Sequence, residues 1–273
     1  MISASNVSQK AKKLIQQKLK SLEKQHNVKI ILAVESGSRA WGFPSINSDY
    51  DVRFIYVRRK EDYLSIKQQR DVIEVDILDS DELGTPLDLN GWDIRKALQL
   101  AMQSNAALSE WLQSPIKYVI DNSIVEDLEK IVQKAVNIDY LKMHYFKLAN
   151  NIWEQIKKND FEVKLKLYCY ALRPTLALKW LKHFGTIPPM DIFSLFQGLI
   201  SCIDPELKKK VDELIALKEN AKEKDVILRN QKIDFFIELL LVEPVNEFKK
   251  ITDNEIISEA DMFFRSVVNK GDL

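Results

Sequence analysis

The stretch that decides the fold reads Val28-Lys-Ile-Ile-Leu-Ala-Val34, then Glu35-Ser-Gly-Ser38, then ten residues, then Asp49-Tyr-Asp-Val-Arg-Phe-Ile-Tyr-Val57. The first seven residues are a short, largely β-branched apolar run of the length of a buried strand. From Tyr50 to Val57 apolar and polar residues alternate in the manner of a second strand. Trp41, Gly42, Pro44, Asn47 and Ser48 between them read as loop. The expectation is two strands joined by a loop, with a Gly-Ser turn where the first ends and two acids where the second begins.

Side chains two apart on a strand share a face, so Asp49 and Asp51 can point at one spot. Carboxylate oxygens are hard ligands, and Mg2+ binds through a few of them plus substrate phosphates. Gly37 lets backbone come close to a ligand, and the amides and hydroxyl of Ser38 can donate to phosphate oxygens. An anion site beside a cation site is a phosphoryl-transfer site in outline. An acidic pair at a loop-to-strand junction is by itself more often a turn or capping feature. The adjoining strand, the Gly-Ser turn and the spacing decide for the functional reading.

Working outward, Val7, Ala11, Ile15, Leu19 and Leu22 recur at helical spacing, an amphipathic helix up to about Lys24. A third strand is expected at Asp71 to Leu78 and a fourth, short one at Leu87 to Leu89, separated by the acidic, turn-prone Asp79 to Pro86. From Trp92 the period is helical, with Asn90 or Asp93 available to cap the free amides. After Pro115 nearly everything reads as helix. One stripe runs Leu141, Tyr145, Leu148, Ile152 and Ile156, and another runs from Val163 to Phe184, interrupted at Pro174. Further helices are expected over Asp204 to Glu223, Asp225 to Leu241 and Glu255 to Val268. The fold class is therefore α+β: a small mixed β-sheet domain flanked by helices over 1–120, then an all-helical C-terminal domain over 121–273 that binds the acceptor or a partner.

Composition agrees with a folded, helix-rich chain. Of 273 residues 46% are hydrophobic and 29% charged, with only seven glycines and eight prolines. Forty basic residues balance forty acidic ones, so net charge gives no general attraction to nucleic acid or membrane, and any polyanion site must be local. Cys169 and Cys202 lack metal-ligand spacing and are too few for a disulfide framework, which fits a reducing compartment, by default the cytoplasm. No run approaches the roughly 18 apolar residues that span a bilayer. Lys208 to Lys210 read as a solvated face, and His26, His144 and His183 are too scattered to be ligands.

Gly37-Ser38, ten residues, then Asp49-Tyr50-Asp51-Val52 resembles the signature of the DNA polymerase β nucleotidyltransferase superfamily. The longer run from Gly37 to Val57, with Leu89-Asn-Gly-Trp-Asp-Ile-Arg-Lys-Ala-Leu98 and Glu110-Trp-Leu-Gln-Ser-Pro115, is similar to the bacterial predicted nucleotidyltransferases of the YcgL and RNA-ligase-associated group. The resemblance is carried by residues 28 to 118 and is diffuse beyond them. It implies transfer of NMP from an NTP, with ATP the expected donor, to an acceptor that is RNA, protein or a small molecule. It also implies two Mg2+ ions, for which Mn2+ can substitute, held by three carboxylates about 4 Å from ion to ion. Asp49 and Asp51 fill two of those positions. The third lies on a later strand, where Asp88 in Leu87-Asp-Leu89 and Asp76 in the run Val72 to Leu78 compete; Asp88 is preferred, with a part in deprotonating the acceptor. Gly37, Ser38, Arg39 and Ser48 are assigned to the nucleotide.

Arg53 offers the same forked donors as Arg39 but equally an ion pair with the acids. Trp41 and Trp92 could stack on a base, and Tyr168, Arg173 and Lys179 could line an acceptor site, though packing is the simpler account of all five. Two other functions stay open: a nucleotide-binding regulatory or antitoxin-like module without turnover, and a non-catalytic RNA-binding protein. The intact acids argue against the first, and the lack of a basic stripe against the second.

Overall fold

A computed structural model describes residues 7–78, 83–221, 225–242 and 254–270. The chain divides into two compact units that are each discontinuous in sequence: residues 1–39, 49–136 and 251–273 form the first, and 40–48 with 137–250 the second. The sequence reading draws one line, at 120/121. The chain instead leaves the first unit after Arg39, returns at Asp49, leaves again after Val136 and returns at its C-terminal end.

The first unit contains helix α1 (Gln9–His26), strand β1 (Val28–Ser36) and the start of the short helix α2 (Gly37–Trp41). It continues with β2 (Tyr50–Arg58), α3 (Lys60–Leu64), β3 (Val72–Leu78), β4 (Leu87–Asp93), α4 (Ile94–Ala101), α5 (Ala106–Gln113), β5 (Lys117–Ile120) and α6 (Asn122–Ala135). The strands make one mixed sheet in the order β3-β4-β2-β1-β5, in which β2 and β4 run parallel and the other neighbours antiparallel. A register shift between Ile30 and Leu32 changes which residues of β1 face which side. Thus Ile30 and Ala33 join the core under α1, with Val52, Phe54 and Leu89, against Ala11, Ile15 and Leu19. Ile31, Leu32 and Val34, with Ile55 and Val57, join the opposite core against α4, α5 and α6. The unit is completed by α12 (Asn254–Lys270), whose Ala260, Val267 and Val268 pack into that second core.

The second unit is built on α7 (Ile138–Ile156) and α8 (Leu165–Phe184), with the hairpin of β6 (Glu162–Lys164) and β7 (Val226–Leu228), and with α9 (Ile192–Gly198), α10 (Pro205–Glu219) and α11 (Gln231–Leu241) around them. Among the described residues no helix is long and apolar enough to cross a membrane.

Several expectations change. The fourth strand runs on to Asp93 rather than stopping at Leu89, because β4 pairs with β2 along its whole length; the helix begins at Ile94, and Asp93 caps it by accepting from the Arg95 amide at 2.8 Å. Residues 117–120, read as the start of a helical region, are strand β5 against β1. Pro174 does not interrupt α8: proline forfeits one i−4 bond, and a helix buried on nearly every side of Leu172 to Leu178 keeps its course through packing. The helix read from Asp225 starts instead at Gln231, capped by Asn230, and Val226 to Leu228 is strand. The Gly-Ser turn is the first turn of α2. The helix expected over Asp204 to Glu223 ends at Glu219, with Asn220 as its C-cap. The acidic segment 79–82 lies outside the described residues, as does the side chain of Asp76.

Candidate active site

Along β2, Tyr50, Val52 and Phe54 are buried while Asp51 and Arg53 are half-buried, and along β4 Leu87 and Leu89 are buried while Asp88 and Asn90 are not. The period of two thus puts Asp51, Arg53, Asp88 and Asn90 on one face. Register sets Asp51 directly opposite Asp88 across the parallel pair. Both carboxylates converge on one guanidinium: Arg53 Nη2 lies 2.7 Å from Asp88 Oδ2 and 3.7 Å from Asp51 Oδ1. Arg53 is therefore an ion-pair partner of the two acids.

Gly37 lies against Asp51 so closely that a Cβ on it would sit 2.1 Å from Asp51 Oδ2, and its φ of +63° is the left-handed conformation that favours glycine. Ser38 follows, 7% exposed, at the start of α2. Arg39 is held at the entry to β2, where its Nε donates to the Asp49 carbonyl at 3.1 Å and its guanidinium lies 4.1 Å over the Tyr50 ring. Asp49, one residue before β2, is exposed. Gly37, Ser38, Arg39, Asp49, Asp51 and Asp88 therefore all belong to the first unit. Ser48 belongs to the second, where its hydroxyl accepts from the Ser45 amide at 2.8 Å and closes a tight turn.

Glu35 is a site residue that no motif in the sequence marks. It is fully buried, on the α1 side of the sheet, and its Oε1 accepts from the Asp51 amide at 2.8 Å. Its Oε2 accepts from the Tyr118 hydroxyl. Burial pushes the Glu35 carboxyl up to about 7, against the opposing pull of the Tyr118 and Asp51 donors. The signal in the sequence was a lone acid closing a seven-residue apolar run, but its partners on β2 and β5 are visible only in the fold.

Trp41, Trp92, Tyr168 and Arg173 are accounted for by packing and hydrogen bonding, and Lys179 is half-buried on α8. Trp92 stacks on Trp111 with ring centroids 3.8 Å apart. Trp41 meets the Tyr170 ring edge-on and has the Arg173 guanidinium 4.8 Å over its face. Arg173 is 2% exposed and donates to the Met190 carbonyl at 2.9 Å, while the Tyr168 hydroxyl bonds to Asp234. A polar cleft of about 580 Å³ bounded by Arg58, Tyr63, Arg70 and Arg95 opens at the other end of β2 and β4, by Asp93, and so does not include Asp51 or Asp88.

Among the described residues no three His, Cys, Asp or Glu side chains are gathered closely enough to hold a metal ion by themselves. The donor chemistry nonetheless fits Mg2+: two carboxylates already face one positive group, and hard oxygen ligands completed by substrate phosphates are what this ion takes. Asp51 and Asp88 would hold it, with Arg53 giving way and Asp49 two residues from Asp51 along the chain.

A mixed sheet that sets Asp51 beside Asp88, entered from a Gly-Ser pair, agrees with the resemblance to the DNA polymerase β superfamily, and the family match puts the chain there. Within it the chain belongs to the RNA repair pathway DNA polymerase beta family, RlaP, which it matches over residues 11–266. It is 45% identical over 228 residues to the uncharacterized protein YcgL of Bacillus subtilis (strain 168), covering 83% of this chain and 84% of that one. The crystal structure of a nucleotidyltransferase-like protein from Exiguobacterium sibiricum 255-15 aligns over 95% of this chain and 81% of its own, at 12% identity and a TM-score of 0.31.

Proposed function

We propose that the protein is a nucleotidyltransferase that moves NMP from an NTP, with ATP the expected donor, to an acceptor hydroxyl, and that the acceptor is RNA. The observation that carries the reading is the pairing of Asp51 with Asp88 on adjacent parallel strands, under a glycine that leaves no room for a Cβ. The choice of RNA leans on the description of the family.

In the reaction the acceptor oxygen bonds to the α-phosphorus as the α–β phosphoanhydride bond breaks, and pyrophosphate leaves. The acceptor proton passes to a carboxylate, a role we assign to Asp88. Two Mg2+ ions, when bound, would neutralise phosphate charge and ease deprotonation of the acceptor. Gly37 lets the Asp51 carboxylate close in on the turn, and Ser38 supplies an amide and a hydroxyl as donors to the triphosphate. Arg39 and Arg53 add guanidinium groups suited to phosphate oxygens, Arg53 once it is released from the acids. Both cysteines are free thiols, in keeping with a cytoplasmic location.

The test is incubation of purified protein with each α-32P-labelled NTP, Mg2+ or Mn2+ and RNA of defined ends, beside an Asp49→Asn/Asp51→Asn variant. Metal-dependent label in RNA, absent with the variant, supports the reading. Label only in a protein or small-molecule fraction moves the acceptor, and nucleotide binding without any transfer leaves a regulatory module in its place.

A further inference from the structure

The apolar run of β1 ends in a carboxylate with no exposed surface. A buried carboxylate is tolerated only where its oxygens find donors. Both do here, and the donors come from the two strands that flank β1: the Asp51 amide of β2 bonds Oε1 at 2.8 Å, and the Tyr118 hydroxyl of β5 bonds Oε2. The main chain of Glu35 is held as firmly. Its amide donates to the Ile116 carbonyl at 2.9 Å, and its carbonyl accepts from the hydroxyl of Ser114, itself 1% exposed, at 2.7 Å. A single residue thus ties the β5 edge of the sheet to the amide of Asp51, at the point where β1 ends and the chain turns at Gly37.

We propose that Glu35 and Tyr118 form a positioning pair for Asp51. They fix the strand entry so that the Asp51 carboxylate stays between Gly37 and Asp88, and they touch neither nucleotide nor metal themselves. This rests on the reading of Asp51 as a metal ligand. A role confined to stability is the competing account, but an apolar side chain would meet that need at a buried strand end without desolvating a charge. A carboxyl group adds what an apolar residue lacks, an acceptor oxygen for one particular amide. Groups that orient a metal ligand in this way commonly change metal affinity by 10–100-fold when removed.

The experiment measures Mn2+ binding from the paramagnetic resonance of the free ion, in parallel with circular dichroism to establish folding. The proteins are wild type, Asp51→Asn, Glu35→Ala, Glu35→Gln and Tyr118→Phe. Glu35→Ala is expected to weaken Mn2+ binding by about 10–100-fold and Tyr118→Phe by about 10-fold. Glu35→Gln, which keeps an oxygen for the Asp51 amide, is expected to recover most of the loss, a rescue that a purely structural role would not require. Wild-type Mn2+ affinity in folded Glu35→Ala and Tyr118→Phe, with Asp51→Asn defective, overturns the positioning role while leaving Asp51 a ligand. If Glu35→Ala fails to fold, Tyr118→Phe, which loses one hydroxyl, decides. Equal Mn2+ binding by wild type and Asp51→Asn overturns the ligand reading and the positioning role with it.

Discussion

Replacing Gly37 by alanine tests the geometry of the acid site with one methyl group. That methyl would lie 2.1 Å from Asp51 Oδ2 and 2.9 Å from its Cγ, whereas ordinary contact begins at 3.4 Å, so the carboxylate must retreat by more than an ångström. Alanine must also adopt the φ of +63° found at Gly37, which costs a residue with a β-carbon about 1–2 kcal/mol. The two effects separate experimentally. The backbone cost appears as a loss of about 1–2 kcal/mol in urea unfolding, which a folded domain can bear. The displaced ligand appears in catalysis, where a misplacement of about 1 Å costs on the order of 100-fold, or about 2.7 kcal/mol of transition-state stabilisation. The assay is the rate of label transfer from α-32P-labelled nucleotide, with Mn2+ binding measured on the same preparations. A folded Gly37→Ala protein with wild-type rate and Mn2+ affinity would refute the claim that the contact between Gly37 and Asp51 sets the site.

Arg53→Met removes the cation that Asp51 and Asp88 share, so tighter Mn2+ binding and lower stability without metal are expected; weaker Mn2+ binding would show that Arg53 does not compete with the ion. Glu35 gives a pH dependence. Its carboxyl is raised from the ordinary 4.5 to about 7 in the folded protein, so folding binds a proton and stability falls as pH rises between those values, by on the order of 3 kcal/mol. Urea unfolding in EDTA at pH 4.5 and 7.5 should therefore show a smaller decline for Glu35→Gln than for wild type, and parallel declines would contradict the assignment. At Gly91 on β4 a Cβ would meet the Phe54 ring at 2.1 Å; Gly91→Ala is expected to cost about 1–3 kcal/mol through overpacking, and an unchanged unfolding midpoint would show that the ring can yield.

The elements that carry the proposed chemistry were legible because their signals are local. An apolar run, a Gly-Ser pair and an acid pair on an alternating segment placed β1 and β2, whereas the approach of Gly37 to Asp51 is visible only in the fold. Asp88 was reached through the family resemblance, and its register opposite Asp51 needed the sheet. Glu35 was missed because a single acid at a strand end looks like the start of a loop, and what distinguishes it is bonding to residues 16 and 83 positions away. β5 was missed because four residues hold too little periodicity to outweigh the helical segments around them. Helix α12 was read correctly as a helix, yet periodicity shows which face is apolar and not what covers it, so its return to the first unit lay beyond the pattern. At Pro174 a local rule was overridden by burial of the surrounding helix.

The most direct test of the central claim is anomalous diffraction at the manganese edge from crystals of the protein grown with Mn2+ and a non-hydrolysable NTP analogue. The account predicts a peak coordinated by the Asp51 and Asp88 carboxylates and by phosphate oxygens of the analogue, with Arg53 withdrawn from both acids. Bound analogue with no peak at those carboxylates, and Arg53 still bridging them, would contradict it.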